Sequence, residues 1–596
     1  MQIVEYRSRL VRTFLAILVA VTFSSPTLGA EKPGAESAQK VVDAASRLGR
    51  QPAEPACGIV VTVSPPASDV GLAALNQGGN AVDAAVATAL ALAVTWPAAG
   101  NVGGGGFMMV YPGPEREPVC VEYRETAPAA ATADMLARNF SMVGHRVAGT
   151  PGTVAGLVLA HEKFGTLPWR DLVMPAVRLA RDGFEINDAL ARSLNGVLQG
   201  AGQFAEFQRV YGPPGKERWQ AGDRLVQPDL AQTLQRIADL GRDAFYRGPI
   251  ADLIVAEMQA GGGLISKEDL AAYQPKLREP IHGTYRGYDV YGPPPPSSGG
   301  ICLIEMLNIL ENFQLNQAPS PEVPQGQPPQ WTPEAMHLVI ETMRRAYCDR
   351  ARFLGDADFV SIPPHLTTKE HAKKLAAGID LGKATPSEAI APDIPLAGES
   401  PETTHFSVID ARGMAVANTY TLENSYGCRV VVRGAGFLLN NEMTDFNHIP
   451  GHTDRTGRIG TPANVIAPGK RMLSSQTPAL VFRDGRLVLV TGSPGGRTII
   501  NTVLCTILNV VDFGMDPREA VDAPRLHHQW LPDKVSFEGA QRPEYAAAVE
   551  RLRQMGHNLD AKSSRQGDAH VIGLDAKTGR YVGAADRRTD GKAASQ

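Results

Sequence analysis

The sequence predicts an α+β fold, a layered sheet sandwich covered by helices, on three observations. Residues 150–275 read as mostly helical, with amphipathic stretches at residues 168–181 and Pro228–Leu240. From about residue 403 onward the chain turns to short β-branched or apolar runs bounded by turn residues. A helix-rich first part and a strand-rich second part each have an apolar side to bury, and packed layers satisfy both. A chain of 596 residues suits more than one domain, or one large two-part unit. A formal charge of −4, with 43% hydrophobic and 20% charged residues, is ordinary for a globular protein. No Lys/Arg run interleaved with aromatics occurs, so nucleic acid is not an expected partner.

The first thirty residues stand apart. Arg7, Arg9 and Arg12 precede the apolar run 14–23, and Ser24-Ser25-Pro26 and Gly29-Ala30 follow it. Charge, apolar core and small residues in that order mark a secretory leader over residues 1–30. The run is shorter than the roughly 20 residues a spanning helix needs. A retained anchor is the competing reading; with the leader removed, no stable membrane span is expected and the protein is exported, to the periplasm or beyond. Six cysteines, Cys57, Cys120, Cys302, Cys348, Cys428 and Cys505, form no CxxC or other metal spacing. Their apolar settings predict buried free thiols, with a stray disulfide left open.

Along the chain, residues 58–63 read as a buried strand. Asn80 is an N-cap with Asp83 as partner, opening a helix Ala81–Thr95 that is apolar on nearly every face and ends at Trp96-Pro97. The glycines of residues 100–106 follow a helix and open a strand at 107–111, the reverse of a phosphate loop, so close backbone packing explains them better. Residues 285–291 form a short strand, and Pro293–Pro296 with Ser297-Ser298-Gly299-Gly300 lead into a helix near 300. Residues 314–330 are a Pro/Gln-rich loop, and 333–354 are a helix carrying Arg344, Arg345 and Arg350. Downstream, 414–422 alternates, 429–433 and 436–439 are short strand-like runs, and 480–490 is a hairpin turning at Asp484-Gly485. Helices are expected near 498–512 and 543–555, and a last hairpin over 570–582.

The chemistry centres on Thr403. It begins the strand-like run Thr403-Thr404-His405-Phe406-Ser407-Val408, after a polar, Pro-containing stretch, 384–402, with little reason to fold alone. A cut between Glu402 and Thr403 would give one residue both a hydroxyl nucleophile and a free amine to act as its base. The parts would be residues 31–402 and 403–596. An ordinary strand threonine is the alternative on position alone. Gly492-Ser493-Pro494-Gly495-Gly496 lies between a strand and a helix, where its N–H groups suit an oxyanion; a plain tight turn is the alternative. Ser493 lacks the glycine two residues earlier that a nucleophile elbow needs. Ser297-Ser298 and Ser474-Ser475 have no lysine or histidine at a recognisable nucleophile spacing. His527-His528 point to opposite sides of an extended segment, so packing near Trp530 is favoured over a metal, and no cofactor or metal is expected. Asn440-Asn441-Glu442-Met443-Thr444-Asp445 taken alone is a solvated turn. Glu423 is a lone acid at a strand end, and Arg124 lies among small and polar residues.

Together these segments resemble the γ-glutamyltranspeptidase (glutathione hydrolase) family of N-terminal nucleophile hydrolases. The resemblance runs from about Gly58 to Arg587. It rests on the order of Gly79-Asn-Ala-Val-Asp-Ala-Ala, Gly100-Asn-Val-Gly-Gly-Gly-Gly-Phe-Met, Pro294-Pro-Pro-Ser-Ser-Gly-Gly300, Thr403-Thr-His-Phe-Ser-Val, Leu438-Leu-Asn-Asn441, Gly492-Ser-Pro-Gly-Gly496 and Ala523-Pro-Arg-Leu-His-His-Gln-Trp530. It implies a four-layer αββα sandwich in which large and small subunits of one precursor share a core. It implies a γ-glutamyl donor such as glutathione, with water, an amino acid or a peptide as acceptor. Thr403 matches the nucleophile and Thr421 a second threonine that orients it. Arg124, Ser474 and Ser475 match the groups that hold the donor α-carboxylate, Asp445, Glu423 and Glu442 those that hold its α-ammonium, and Gly495 and Gly496 the oxyanion hole. Two departures stand out: Glu423 and Glu442 are acids where many relatives carry an amide, and the lid segment 447–462 has no Tyr, Phe or Trp. The second implies a looser cover and competitive hydrolysis. The rivals are a β-lactam side-chain acylase or poly-γ-glutamate enzyme of the same family, and a non-catalytic exported binding protein on the same fold.

Overall fold

The computed structural model describes residues 57–114, 116–138, 140–316, 331–391, 403–562 and 564–596. The leader, Glu402 and residues 317–330 lie outside the described residues.

The principal strands are β1 (Ile59–Thr62), β2 (Gly105–Tyr111), β3 (Val119–Glu122), β4 (Lys276–Arg278), β5 (Ile281–Tyr285), β6 (Tyr288–Gly292), β7 (Thr404–Ile409), β8 (Ala415–Thr421), β9 (Ala479–Arg483), β10 (Arg486–Thr491), β11 (Val571–Leu574), β12 (Tyr581–Ala584) and β13 (Lys592–Ser595). They form a seven-stranded sheet ordered β13-β1-β7-β8-β2-β3-β4 and a six-stranded sheet ordered β12-β11-β10-β9-β6-β5. The helices that bear on the argument are α1 (Pro65–Asn76), α2 (Ala81–Thr95), α3 (Trp169–Asp182), α4 (Pro228–Leu240), α5 (Gly299–Leu310), α6 (Pro333–Phe353), α7 (Lys369–Ala377) and α8 (Thr498–Val511).

Side-chain alternation along the strands sorts the interior into three cores. Ile59, Val61, Phe107, Met109, Ile409, Ala417, Leu480, Phe482 and Val490 meet between the two sheets. Val60, Met108, Val110, Phe406, Val408 and Val416 face the other way, onto α2 and its helical neighbours. Val290, Ala479, Val481 and Leu489 face α5, α6 and α8. Three apolar interfaces separate four layers, α, β, β and α, as two-sided strands require. Both faces of β8 are covered: every one of its residues is buried, including the polar Asn418, Thr419 and Thr421.

Local signals translate into elements where they are strong. Asn80 accepts from Val82 and Asp83 N–H at 3.0 Å each, and Asp83 returns a bond to the Asn80 N–H at 2.9 Å, completing a capping box. All fifteen residues of α2 are buried. Asp484 (φ 51) and Gly485 (φ 73) turn the β9–β10 hairpin. All six cysteines are free, five of them buried.

Four details differ from the sequence reading. Residues 281–292 are a hairpin, β5 and β6, turning at Arg286 (φ 47) and Gly287 (φ 80), rather than one strand. The runs 429–433 and 436–439 pair through Val432 N–H to Phe437 O and Leu439 N–H to Val430 O, about a single bridge of Val431 with Leu438, rather than as full strands. Part of the stretch before the expected cut is docked: Ala384 N–H donates to Met555 O at 2.7 Å, and Ser387 N–H to Asp533 at 2.8 Å. The chain end, Lys592–Ser595, pairs with β1; its Lys-Ala-Ala-Ser has no strand propensity of its own, and the open edge of β1 supplies the ladder. Among the described residues no helix is long and apolar enough to cross a membrane.

Candidate active site

Thr403 is the first described residue of the strand-rich part, immediately before β7 and 7% exposed. In the β7–β8 ladder Tyr420 faces Thr404, so one step further sets Thr421 opposite Thr403. Thr421 Oγ1 accepts from the Glu423 N–H at 2.7 Å. Glu423 adopts φ 77, a left-handed conformation that costs about 1–3 kcal/mol in a residue with a side chain. Asn441 holds it there. Its Nδ2 donates to Glu423 Oε2 at 2.8 Å, and its Oδ1 accepts from Asn424 N–H at 3.0 Å.

The charged groups arrive from β3 and from the segment after Leu439. Arg124 is 1% exposed. Its Nη1 lies 2.6 Å from Glu442 and 3.6 Å from Glu125, its Nη2 pairs with Asp445, and its Nε donates to Met472 O. The expected solvated turn at 440–445 is instead interior, with Asn440, Asn441 and Glu442 all 0% exposed. Arg124 is the reason, together with Asn440, which bonds the Gly103 and Gly149 carbonyls. Burial works against the Arg124 charge, but Glu442, Asp445 and Glu125 outweigh it and raise its pKa. Burial pushes the Glu442 carboxyl well above its ordinary range despite Arg124, and pushes Glu125 up to about 8.

Ser474 and Ser475 are braced by the Pro- and Ser-rich turn before α5. Ser298 N–H and Oγ both donate to Ser474 O, at 2.8 and 2.6 Å. Ser297 Oγ donates to Gln476 O at 2.5 Å, so the first serine pair supports the second. Arg350, near the end of α6, donates through Nε to Ser298 Oγ and through Nη2 to Ser475 Oγ, each at 2.9 Å.

The glycine loop joins β10 to α8. Gly495 (φ 128) and Gly496 (φ 54) occupy backbone conformations that disfavour side chains. Their carbonyls accept from Thr498 and Ile499 N–H in the first turn of α8.

These parts meet at one tight cavity of about 20 Å³, lined by Arg124, Thr403, Thr421, Glu423, Glu442, Asp445, Ser474, Ser475, Gln476, Gly496, Arg497 and Ile499. Gly495 stands one residue behind the lining. Gln476, Arg497 and Ile499 escaped the sequence reading, although each directly follows, or lies within three residues of, a residue that did not. Arg497 Nη1 donates to Gly457 O of the lid segment at 3.2 Å, tying lid to glycine loop. Beyond Glu423 and Asp445 a wider cleft of about 520 Å³ opens against Phe140, Met142, His448 and Ile449. Phe140 stacks on His448 of the lid, with ring centroids 4.3 Å apart.

The histidines sit apart from this chemistry. His405 Nδ1 is 2.8 Å from Thr419 Oγ1, its Nε2 is 3.1 Å from Ser407 Oγ, and burial holds it well below its ordinary pKa, hence neutral. His527 bonds Asn501, His528 pairs with Asp533 and accepts from Trp530 N–H, and burial lowers each to about 4.

The chain is similar to known proteins along most of its length. The family model described as Gamma-glutamyltranspeptidase matches residues 67–596. The chain is 45% identical over 544 residues to a glutathione hydrolase proenzyme of Escherichia coli (strain K12), covering 89% of this chain and 90% of that protein. It is 35% identical over 558 residues to the acylase ACY 1 proenzyme of Pseudomonas sp. (strain SE83), covering 91% and 94%. The solved cephalosporin acylase from Bacillus halodurans superposes with a TM-score of 0.78 at 26% identity, covering 91% of this chain and 97% of that one.

Proposed function

The chain belongs to the gamma-glutamyltranspeptidase family, and from that premise we propose that it is an autoprocessed γ-glutamyl acyltransferase and glutathione hydrolase with Thr403 as its nucleophile. The observation that carries the reading is the single cavity onto which Thr403, Thr421, Gly496, Arg124, both serines and all three acids converge.

Maturation and turnover use one oxygen. In the precursor, Thr403 Oγ attacks the Glu402 carbonyl; the amide nitrogen leaves as the Thr403 amine, and water opens the resulting ester to a Glu402 carboxylate. The new amine, with an ordinary pKa of about 7.7–8.0, takes the proton from Oγ as that oxygen attacks the donor γ-carbonyl. The tetrahedral oxyanion receives hydrogen bonds from the Gly495 and Gly496 N–H groups; one such donor is worth about 3 kcal/mol. The amine returns its proton to the leaving nitrogen, and the γ-glutamyl ester passes to water or to an acceptor amine. Arg124 and the braced serines take the donor α-carboxylate, and Glu423, Glu442 and Asp445 take its α-ammonium, which fixes the γ-carbon against Oγ. Arg124 already lies against Asp445 and Glu442, so a zwitterionic α-carbon enters a site where a cation and acids stand side by side. The large and small fragments remain associated, and the leader directs export.

The acylase relatives motivate the alternative, a donor lacking the α-ammonium, such as a glutaryl amide. The acids beside Arg124 favour the γ-glutamyl donor. The test is N-terminal sequencing of the smaller fragment together with product release from a γ-glutamyl anilide and a glutaryl anilide. A fragment starting at Thr403 and activity on the γ-glutamyl compound are expected, with Thr403→Ala giving one uncut, inactive chain. Two fragments of normal size from that variant would overturn the assignment.

A further inference from the structure

Away from the cleft, α5 buries an acid against a second acid. The Glu305 side chain is 1% exposed; among the described residues no N–H or hydroxyl donor reaches either of its oxygens, and the group it meets is another carboxyl, Asp349. Its polar neighbours are Asp349 of α6 and His371 of α7, and one donor atom from each of the three lies within 4.8 Å of the others. His371 Nε2 is 2.8 Å from Asp349 and 3.9 Å from Glu305. Among the described residues no lysine or arginine forms an ion pair with either acid. Two carboxylates brought together in an apolar surrounding require either a bound cation or a retained proton.

We propose that Glu305, Asp349 and His371 bind a divalent transition-metal cation of the zinc type. One imidazole and two carboxylates form a donor set suited to such an ion. Ligands about 2.0–2.1 Å from a tetrahedral ion stand roughly 3.4 Å from each other, a value the two His371 distances bracket. The Asp349 and His371 side chains are 16% and 19% exposed, which leaves an entry path and room for water as a fourth ligand. The ligands come from three separate helices, so no spacing motif announces them. A second cluster, His337, Glu341 and His557, is a useful contrast. Arg344 and Arg345 already neutralise Glu341, and His337 bonds both His557 and Asp380 O, so that cluster holds no uncompensated acid.

Occupancy has a consequence for the cleft. Asp349 directly precedes Arg350, the residue that braces Ser298 and Ser475, and Glu305 lies on the helix that Ser298 opens. An ion joining α5, α6 and α7 fixes the far end of that brace. The competing occupant is a proton shared between the two acids, favoured by burial and by their mutual repulsion; it requires no metal.

The experiment loads the full processed protein with Zn2+, dialyses it, and counts metal by mass spectrometry for the wild type, Glu305→Gln and His371→Ala. A thermal melt of each with and without Zn2+ accompanies the count. One retained ion per wild-type chain is expected, lost in both variants, with a Zn2+-dependent rise in melting temperature only in the wild type. His371→Ala, at a partly exposed position, carries the comparison if Glu305→Gln folds poorly. A wild type that retains no stoichiometric zinc, or zinc retention and melting shifts equal in all three proteins, would overturn the proposal. Neither readout depends on activity, so the result stands apart from the assignment of Thr403.

Discussion

At Glu125 the chain places a carboxyl beside Arg124 yet wholly out of water, with no hydrogen bond from another residue to either side-chain oxygen among the described residues. Burial outweighs Arg124 and raises the group to about 8, from an ordinary 4.5. Between these values the folded chain holds a proton that the unfolded chain has released, so this residue's contribution to stability falls as pH rises through that window. One pKa unit corresponds to about 1.4 kcal/mol, so even part of the shift is measurable. Glu125→Gln is expected to flatten the decline in denaturation midpoint between pH 5 and pH 8 relative to wild type; parallel curves would contradict this. Arg350 permits a different kind of test. It touches no residue argued to react, but holds Ser475 in place. A hydrogen bond to a charged group is worth about 1.5–3 kcal/mol. Arg350→Ala should therefore raise KM for the γ-glutamyl donor roughly tenfold or more while kcat changes less. A fall in kcat alone would mean that Ser475 does not bind the ground-state donor.

Among the elements, the link between β7 and the glycine loop is the most exacting. A Cβ on Gly492 would stand 2.3 Å from the His405 ring, and that ring is fixed by Thr419 and Ser407. Thr403 lies two residues from His405 and Gly495 three from Gly492, so one packing contact sets the nucleophile's strand against the oxyanion loop. Overpacking of this kind costs about 1–3 kcal/mol. Gly492→Ala is expected to lose stability in that range and to lower kcat in the processed enzyme. Replacing His405 by Ala should then cost less in the Gly492→Ala background than in the wild type; additive losses would show that the two residues do not press on each other. The same elements show what a sequence discloses. Asn80 with Asp83, and Asp484 with Gly485, were legible because each signal is complete within a few residues. The turn at Arg286-Gly287 was not, since an arginine at φ 47 carries no turn signature. The strand at 592–595 exists because of a partner more than five hundred positions away. The burial of Glu442 was illegible for the same reason, its cause being Arg124. Thr403, Thr421 and the glycine loop could be picked out through the order of their motifs, whereas Gln476, Arg497 and the brace from Arg350 emerge only when the helices are in place.

For the whole molecule, the expected cut falls in a chain whose two parts are interleaved. In the seven-stranded sheet, β1 from the first part lies between β13 and β7 of the second, and β8 pairs with β2 along seven residues. In the other sheet β9 pairs with β6. The core between the sheets draws Phe107 and Met109 from one part and Ile409, Leu480 and Val490 from the other. Cleavage at Glu402–Thr403 therefore breaks one covalent bond and leaves every ladder and all three cores in place. With six free cysteines, the association owes nothing to disulfides. The processed protein is expected to elute as one species on size exclusion, to separate into two bands in SDS with or without reductant, and to unfold in guanidinium with both fragments losing structure in one cooperative transition. Each fragment alone would expose unpaired strand edges and half of each shared core, so neither is expected to refold without the other. A fragment that refolds alone, or two separated unfolding transitions, would show that the parts are independent domains, and the placement of Thr403 at their common centre would then need another explanation.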